Sequence, residues 1–263
     1  MKILPIGSYY LTNQHGCVQN TSANKLPLKW EKGLTAIIKE YNRHLEKKIH
    51  SIYLRGSVAN GKPIDGISDF DTFALVKGNI TNTDRKWIPN AEKKLRKRFP
   101  FATKFEILLY SYRDFLNLEK FYTARFLLKA SGRCIYGKDI SKKIKKIKLA
   151  TYIKKIRKNN VILTSIDKTI FQLKNTASPT IRKEICQWIT KRILRTIPYI
   201  TFETEKQFTR DLFPCYALGV KCFSKQKQKI RQLLNWAVNP TPNKKRLIPF
   251  LVHFRKWLAR QLK

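Results

Sequence analysis

Two aspartates one residue apart, Asp69 and Asp71, stand at the head of the run Phe70–Val76. That run is β-branched and aromatic in character and predicts a strand. The two-residue period of a strand puts both carboxylates on one face, with Phe70 and Thr72 on the other. Two carboxylates side by side at the start of an apolar strand are costly unless a cation joins them. Hard oxygen ligands suit Mg²⁺, with Mn²⁺ as the alternative, and such an ion also binds phosphate oxygens. Just upstream, a short apolar run ends at Leu54, and Gly56 and Ser57 follow in a tight turn. Gly56 has no side chain to obstruct a phosphate, and the turn offers a backbone N–H and a hydroxyl. A third acid, Glu106, lies in a further predicted strand, Lys104–Ser111, between apolar Phe105 and Ile107. With Asp69 and Asp71 it would complete a metal-binding triad. A metal pair facing a phosphate cradle is what in-line displacement at a nucleotidyl phosphorus requires.

The elements that must position these groups are legible from periodicity. Leu34, Ile37, Ile38, Tyr41 and Leu45 recur at helical spacing and predict an amphipathic helix over Trp30–Lys48. His50–Leu54 reads as a strand, Gly56–Ser68 as a turn-rich loop holding one helical turn, and Asn90–Arg98 as a basic helix. After Tyr112 the strand signals stop. Leu118–Cys134, Ile144–Leu173, Thr180–Phe202, Lys206–Cys222, Gln226–Val238 and Leu247–Leu262 all read as helical. Pro179 and Pro242 fit loops, and Pro198 and Pro214 suggest kinks or breaks. Lys142–Lys158 reads as a helix with a basic face, and residues 1–27 as irregular. The expected architecture is α+β. A small N-terminal α/β domain with a mixed sheet occupies residues 1–120, and a basic, all-helical domain occupies residues 121–263.

Composition narrows the partners. The chain has 263 residues with 43% hydrophobic and 12% aromatic content, which is enough for a packed core and excludes wholesale disorder. No apolar run approaches the about 18 residues of a membrane span, and the first residues lack the apolar stretch of a signal peptide. Five scattered cysteines form no CxxC and read as reduced thiols of a cytoplasmic protein. Charge is the strongest compositional signal: 55 Lys and Arg against 17 Asp and Glu give a net charge of +38. Residues 1–139 hold 25 basic and 12 acidic residues, residues 140–263 hold 30 and 5, and no acid follows Asp211. Such a field draws polyanions.

The stretch Tyr53–Val76, YLRGSVANGKPIDGISDFDTFALV, resembles a known family. Its Gly-Ser pair, eleven residues and then Asp-Phe-Asp are similar to the GS…DxD signature of the DNA polymerase β-like nucleotidyltransferase superfamily. The layout resembles the bacterial members of kanamycin- and streptomycin-adenylyltransferase type, in which a catalytic α/β domain precedes a helical one. Tyr122–Asp139 is similar to the helix and Y-G-x-D turn found there. The resemblance by motif covers residues 50–140. It implies metal-dependent transfer of NMP from an NTP, ATP before the others, to an acceptor hydroxyl with release of pyrophosphate. It implies that Gly56 and Ser57 bind phosphate and that Asp69 and Asp71 hold the metal. Glu106 matches the third acid by its position after the DxD pair.

Further residues carry weaker expectations. Arg55 and Lys62 flank the motif as phosphate contacts, or as ordinary surface cations. Glu106 has a plainer alternative as an exposed carboxylate paired with Lys104 or Arg113. Arg192 and Arg195 share a helix face as a triphosphate or acceptor contact, Arg210–Asp211 reads as a buried pair or an acceptor contact, and Glu203 and Glu205 read as partners of nearby lysines before a general base. A polycationic aminoglycoside calls for an acidic pocket, which a domain with five acids is poorly suited to supply. RNA, tRNA in particular, matches the charge better, and a protein acceptor is a third option. A non-catalytic nucleic-acid-binding protein on the same fold is the alternative to an enzyme, and an anionic membrane surface is a further partner class that charge alone admits.

Overall fold

The computed structural model describes residues 6–159 and 161–262. Four strands form one sheet: β1 (Ile49–Arg55), β2 (Phe70–Val76), β3 (Phe105–Ser111) and β4 (Arg133–Gly137), in the order β3-β2-β1-β4. β1 pairs antiparallel with β2 and β4, while β2 and β3 run parallel. The sheet is therefore mixed, as expected. Parallel neighbours need a crossover, and the helices α3 (Thr83–Lys86) and α4 (Ile88–Arg98) supply it. Between β1 and β2 lies the short helix α2 (Gly56–Ala59), the helical turn expected within that loop.

One face of the sheet packs on α1 (Leu28–Leu45) and α4. Ile52 and Leu54 of β1, Phe70, Ala74 and Val76 of β2, and Phe105, Ile107 and Leu109 of β3 are buried there with Trp30, Ile37 and Tyr41. Phe70 is the anchor at the head of β2. Its ring lies 5.0 Å from that of Trp30 and 4.9 Å from that of Phe105. Gly33 of α1 admits it, because a Cβ there would stand 2.7 Å from the ring. On the other face, Tyr53, Phe73 and Leu75 pack with Phe115 of α5 (Tyr112–Asn117) and Leu128 of α6 (Tyr122–Ser131), together with Ile140 and Ile144. The free edge at β3 is partly satisfied from α4, where Glu92 Oε1 accepts the Ile107 N–H at 2.9 Å.

Contacts divide the chain into residues 11–149 and a second unit of residues 6–10 with 150–262. The division differs from the expected 120–121. β4 begins at Arg133, overlapping the last two residues of the segment expected to be helical through Cys134, and its pairing with β1 carries the sheet past residue 120. The Y-G-x-D turn closes that pairing. Gly137 adopts φ +76°, and a Cβ there would stand 2.3 Å from the His50 carbonyl oxygen. Asp139 accepts hydrogen bonds from the Tyr53 hydroxyl at 3.0 Å and the Ser141 N–H at 2.8 Å. The basic stretch Lys142–Lys158 is α-helical only from Leu149; a 3₁₀ turn at Ser141–Lys143 precedes it, and Ile144 and Ile147 between the two are buried.

The second unit is helical throughout its long segment. It comprises α7 (Leu149–Lys158), α8 (Val161–Asn175), α9 (Pro179–Leu194), α10 (Ile197–Glu205), α11 (Leu212–Cys222), α12 (Lys227–Val238) and α13 (Lys244–Gln261). Pro198 and Pro214 sit in the first turns of α10 and α11, where the missing N–H costs nothing. Residues 6–10 join this unit through their backbone groups: Tyr10 N–H donates to the Phe208 carbonyl at 2.8 Å, Ser8 N–H to the Asp211 carboxylate Oδ2 at 2.9 Å, and the Ser8 carbonyl accepts from the Thr209 hydroxyl at 2.7 Å.

Phe70→Ala should cost about 3–5 kcal/mol in urea unfolding, the range for truncating a fully buried aromatic ring. A loss below about 1 kcal/mol would show that this ring does not anchor the strand.

Candidate active site

The sheet brings the chemistry to one end. β1 finishes at Arg55 where β2 and β3 begin, and the pairing sets Arg55 opposite Asp71 and Asp71 opposite Glu106. Side chains alternate along a strand, so the burial of Phe70 turns Asp69 and Asp71 toward the opposite side. Asp69 lies just before β2, partly exposed, and Asp71 is the second residue of the strand. Thr72, buried behind them, donates to the Glu106 carbonyl at 2.8 Å and contacts the Tyr41 hydroxyl at 3.1 Å. These bonds lock the register of β2 against β3 next to the acids.

Glu106 is an ion-paired carboxylate. Arg55 Nη2 donates to its Oε2 at 2.8 Å and Lys104 Nζ to its Oε1 at 3.2 Å. Only 25% of the Glu106 side chain is exposed, so its charge needs these partners. Burial pushes its pKa up, but the charges of Arg55 and Lys104 and hydrogen bonds involving Asp71 and Lys104 outweigh this and hold it below the ordinary carboxylate range. Burial pulls Lys104 down, yet Glu106, Glu92 and Asp71 prevail and raise it. Arg113, the other partner considered for Glu106, lies instead beside Asp114 at 3.9 Å. Tyr110, on the same face of β3, is raised by burial against the opposing charge of Arg55.

Gly56 opens α2 with φ +79°, a conformation that side chains rarely adopt. A Cβ at this position would stand 3.0 Å from Asp71 Oδ2, so the turn and the carboxylate are in close approach. The Ser57 hydroxyl donates to Ser68 Oγ at 3.0 Å, and Ser68 Oγ accepts the Ile64 N–H at 2.9 Å. Ser68 thus ties the two ends of the loop together. Its role was not read from the sequence, although it directly precedes the aspartates. Lys62 is exposed on that loop, and its N–H donates to the Ser57 carbonyl at 3.2 Å.

Of the seven residues singled out, Arg55, Gly56, Asp71 and Glu106 are shown converging at one end of the sheet. Ser57 and Asp69 adjoin them in the chain, and Lys62 stands on the loop. The donors fit a hard cation in kind, as carboxylate oxygens beside a glycine turn. Among the described residues, however, no three His, Cys, Asp or Glu side chains close into one metal-binding group. Glu106 is held by two cations. In the helical unit, Arg210 and Asp211 do not pair as expected: Arg210 Nη1 donates to the Tyr199 hydroxyl at 3.1 Å, while Asp211 receives Ser8. Glu203 and Glu205 do face lysines, Lys206 and Lys221 respectively.

Residues 36–121 match the family model described as nucleotidyltransferase domain, and this match supports reading the chain as a nucleotidyltransferase enzyme. Among solved structures, the chain is similar to spectinomycin adenyltransferase AAD(9) from Enterococcus faecialis, whose crystal structure contains ATP and spectinomycin. The TM-score is 0.53 at 13% identity, covering 86% of this chain and 99% of that one. At that identity the likeness is one of fold. No curated protein matches the chain.

Arg55→Ala should raise the Glu106 pKa, because burial would then act against weaker opposition. Carboxyl ¹³C shifts followed against pH measure this, and an unmoved titration would show that Arg55 does not hold the charge. A depressed carboxyl stabilises the fold above its unfolded pKa and loses that contribution as pH falls through the folded value, so the variant should also unfold at higher pH.

Proposed function

We propose that the chain transfers a nucleoside monophosphate from an NTP, ATP before the others, to an acceptor hydroxyl with release of pyrophosphate. The observation that carries this reading is the register of Arg55, Asp71 and Glu106 against the Gly56 turn. It gathers carboxylate oxygens, cations and a glycine turn close to the Asp71 carboxylate at one sheet end. In this reading Asp69 and Asp71 hold Mg²⁺, or Mn²⁺. Such an ion, when bound, would neutralise phosphate charge and polarise the phosphoryl oxygens. The N–H groups of Gly56 and Ser57 bind the triphosphate, with Lys62 reaching it from the loop. Arg55, paired with Glu106 at 2.8 Å, orients that carboxylate. The acceptor oxygen bonds to the α-phosphorus as the bond from that phosphorus to the oxygen of the departing pyrophosphate breaks. Glu106, ionised at neutral pH, receives the hydroxyl proton.

The charge of +38 favours a polyanionic acceptor, RNA or tRNA, over a polycationic one. All five thiols are free, which suits a reducing cytoplasm. No helix of the described residues is long and apolar enough to cross a membrane.

The test is incubation of the protein with Mg²⁺, a cell extract and each of four α-³²P-labelled NTPs, with Asp69→Asn/Asp71→Asn alongside. Label should enter one fraction of RNA, protein or small molecules and fall at least about 100-fold in the variant, the scale of losing a major charge-stabilising group. Equal labelling by both proteins would overturn the assignment. No label from any NTP would favour the non-catalytic alternative.

A further inference from the structure

Ser68 stands directly before Asp69 and is only 4% exposed. Its backbone is fixed on both sides. The Ser68 N–H donates to the Ile64 carbonyl at 2.8 Å, and the Ser68 carbonyl accepts the Thr103 N–H at 2.9 Å and the Thr103 hydroxyl at 3.2 Å. On the far side of Asp69, the Phe70 N–H donates to the Lys104 carbonyl at 2.9 Å. Asp69 is therefore bracketed by bonds to main-chain groups that owe nothing to the Ser68 side chain.

That side chain is engaged elsewhere. Its Oγ accepts the Ile64 N–H at 2.9 Å and the Ser57 hydroxyl at 3.0 Å, reaching back eleven residues to the Gly56 turn. A hydroxyl has one proton to donate and two lone pairs to accept with. At Ser68 both lone pairs are occupied, and among the described residues no bond takes its proton. A buried donor left without an acceptor is costly. Ser57, by contrast, is only partly buried, and its one proton is turned inward to Ser68.

A ligand oxygen at the turn relieves this arrangement. When it accepts the Ser57 proton, both hydroxyls rotate: Ser57 donates outward, Ser68 donates to Ser57 Oγ, and the Ile64 N–H still donates to Ser68 Oγ. No proton changes its oxygen, and every donor in the chain then has an acceptor. Each bond in such a chain polarises the next, which makes the outermost hydroxyl a stronger donor. An anionic, acceptor-only oxygen draws that donor best, and a phosphate oxygen is of this kind. We propose that Ser68 is a positioning residue for the nucleotide: it donates to Ser57 Oγ and thereby presents the Ser57 hydroxyl to a phosphate oxygen. This rests on the reading of the turn at Gly56 and Ser57 as the phosphate cradle.

The test is calorimetric binding of a non-hydrolysable ATP analogue with Mg²⁺ to Ser57→Ala, Ser68→Ala and the double variant, each shown to be folded by circular dichroism. Mn²⁺ affinity without nucleotide is measured alongside. Ser57→Ala should weaken the analogue about 10-fold, the scale of one hydrogen bond to a charged group, and Ser68→Ala about 3-fold. The double variant should match Ser57→Ala, because without the Ser57 hydroxyl Ser68 has nothing to orient. Mn²⁺ affinity should be unchanged in Ser68→Ala, since the bonds that bracket Asp69 remain. Ser68→Thr and Ser68→Val, alike in shape, isolate the hydroxyl, and the first should bind the analogue about 3-fold more tightly than the second. Unchanged binding by Ser68→Ala, losses that multiply in the double variant, a matching loss of Mn²⁺ affinity, or equal binding by Ser68→Thr and Ser68→Val would each overturn the inference and leave the cradle standing. Undiminished binding by Ser57→Ala would overturn the cradle itself, and the inference with it.

Discussion

The site depends on one apolar contact, the seating of Phe70 between Trp30 and Phe105 over Gly33. That ring decides which way β2 is turned. In a strand the neighbours of a buried residue must face the other side, so one packed phenylalanine directs two aspartates. The register between β2 and β3 then carries the effect sideways, setting Glu106 beside Asp71, while the antiparallel pairing with β1 delivers Arg55 and the Gly56 turn to the same corner. A one-residue slip of β2 would turn the acids into the core and the ring into water. The burial of an aromatic side chain, about 1.5–3 kcal/mol, is what penalises such a slip.

Charge at this corner is arranged to be tolerable before any ligand arrives. Glu106 is largely removed from solvent and would be raised by that burial, but Arg55 and Lys104 more than offset it. The same pairs keep the carboxylate ionised and oriented, so orientation and protonation state have a single cause. Gly56 completes the arrangement by yielding space: any side chain there would press on the Asp71 carboxylate.

Much of this was legible in the sequence because it is local. The strand Phe70–Val76 is reproduced residue for residue, and Lys104–Ser111 within one residue, since alternation and apolar content decide both. The GS…DxD spacing that singles out Gly56, Ser57, Asp69 and Asp71 is local as well. What could not be read was long-range. β4 is five residues long with little alternation, and it exists because β1 offers an edge to pair with. The bond between Arg55 and Glu106 spans strands that are not neighbours in the sheet, and no spacing in the sequence announces it. Residues 6–10 dock on residues 208–211 through their own backbone groups, which have no compositional signature.

The central claim is that the end of the sheet beside Gly56 is where metal and nucleotide meet. Titration of Mn²⁺ into ¹⁵N-labelled protein holding a non-hydrolysable ATP analogue tests it most directly, through paramagnetic broadening of individual amides. Broadening should be strongest at Gly56, Ser57, Asp69, Phe70, Asp71 and Glu106 and should disappear in Asp69→Asn/Asp71→Asn. Broadening centred on any other part of the chain, or persisting in that variant, would contradict the account.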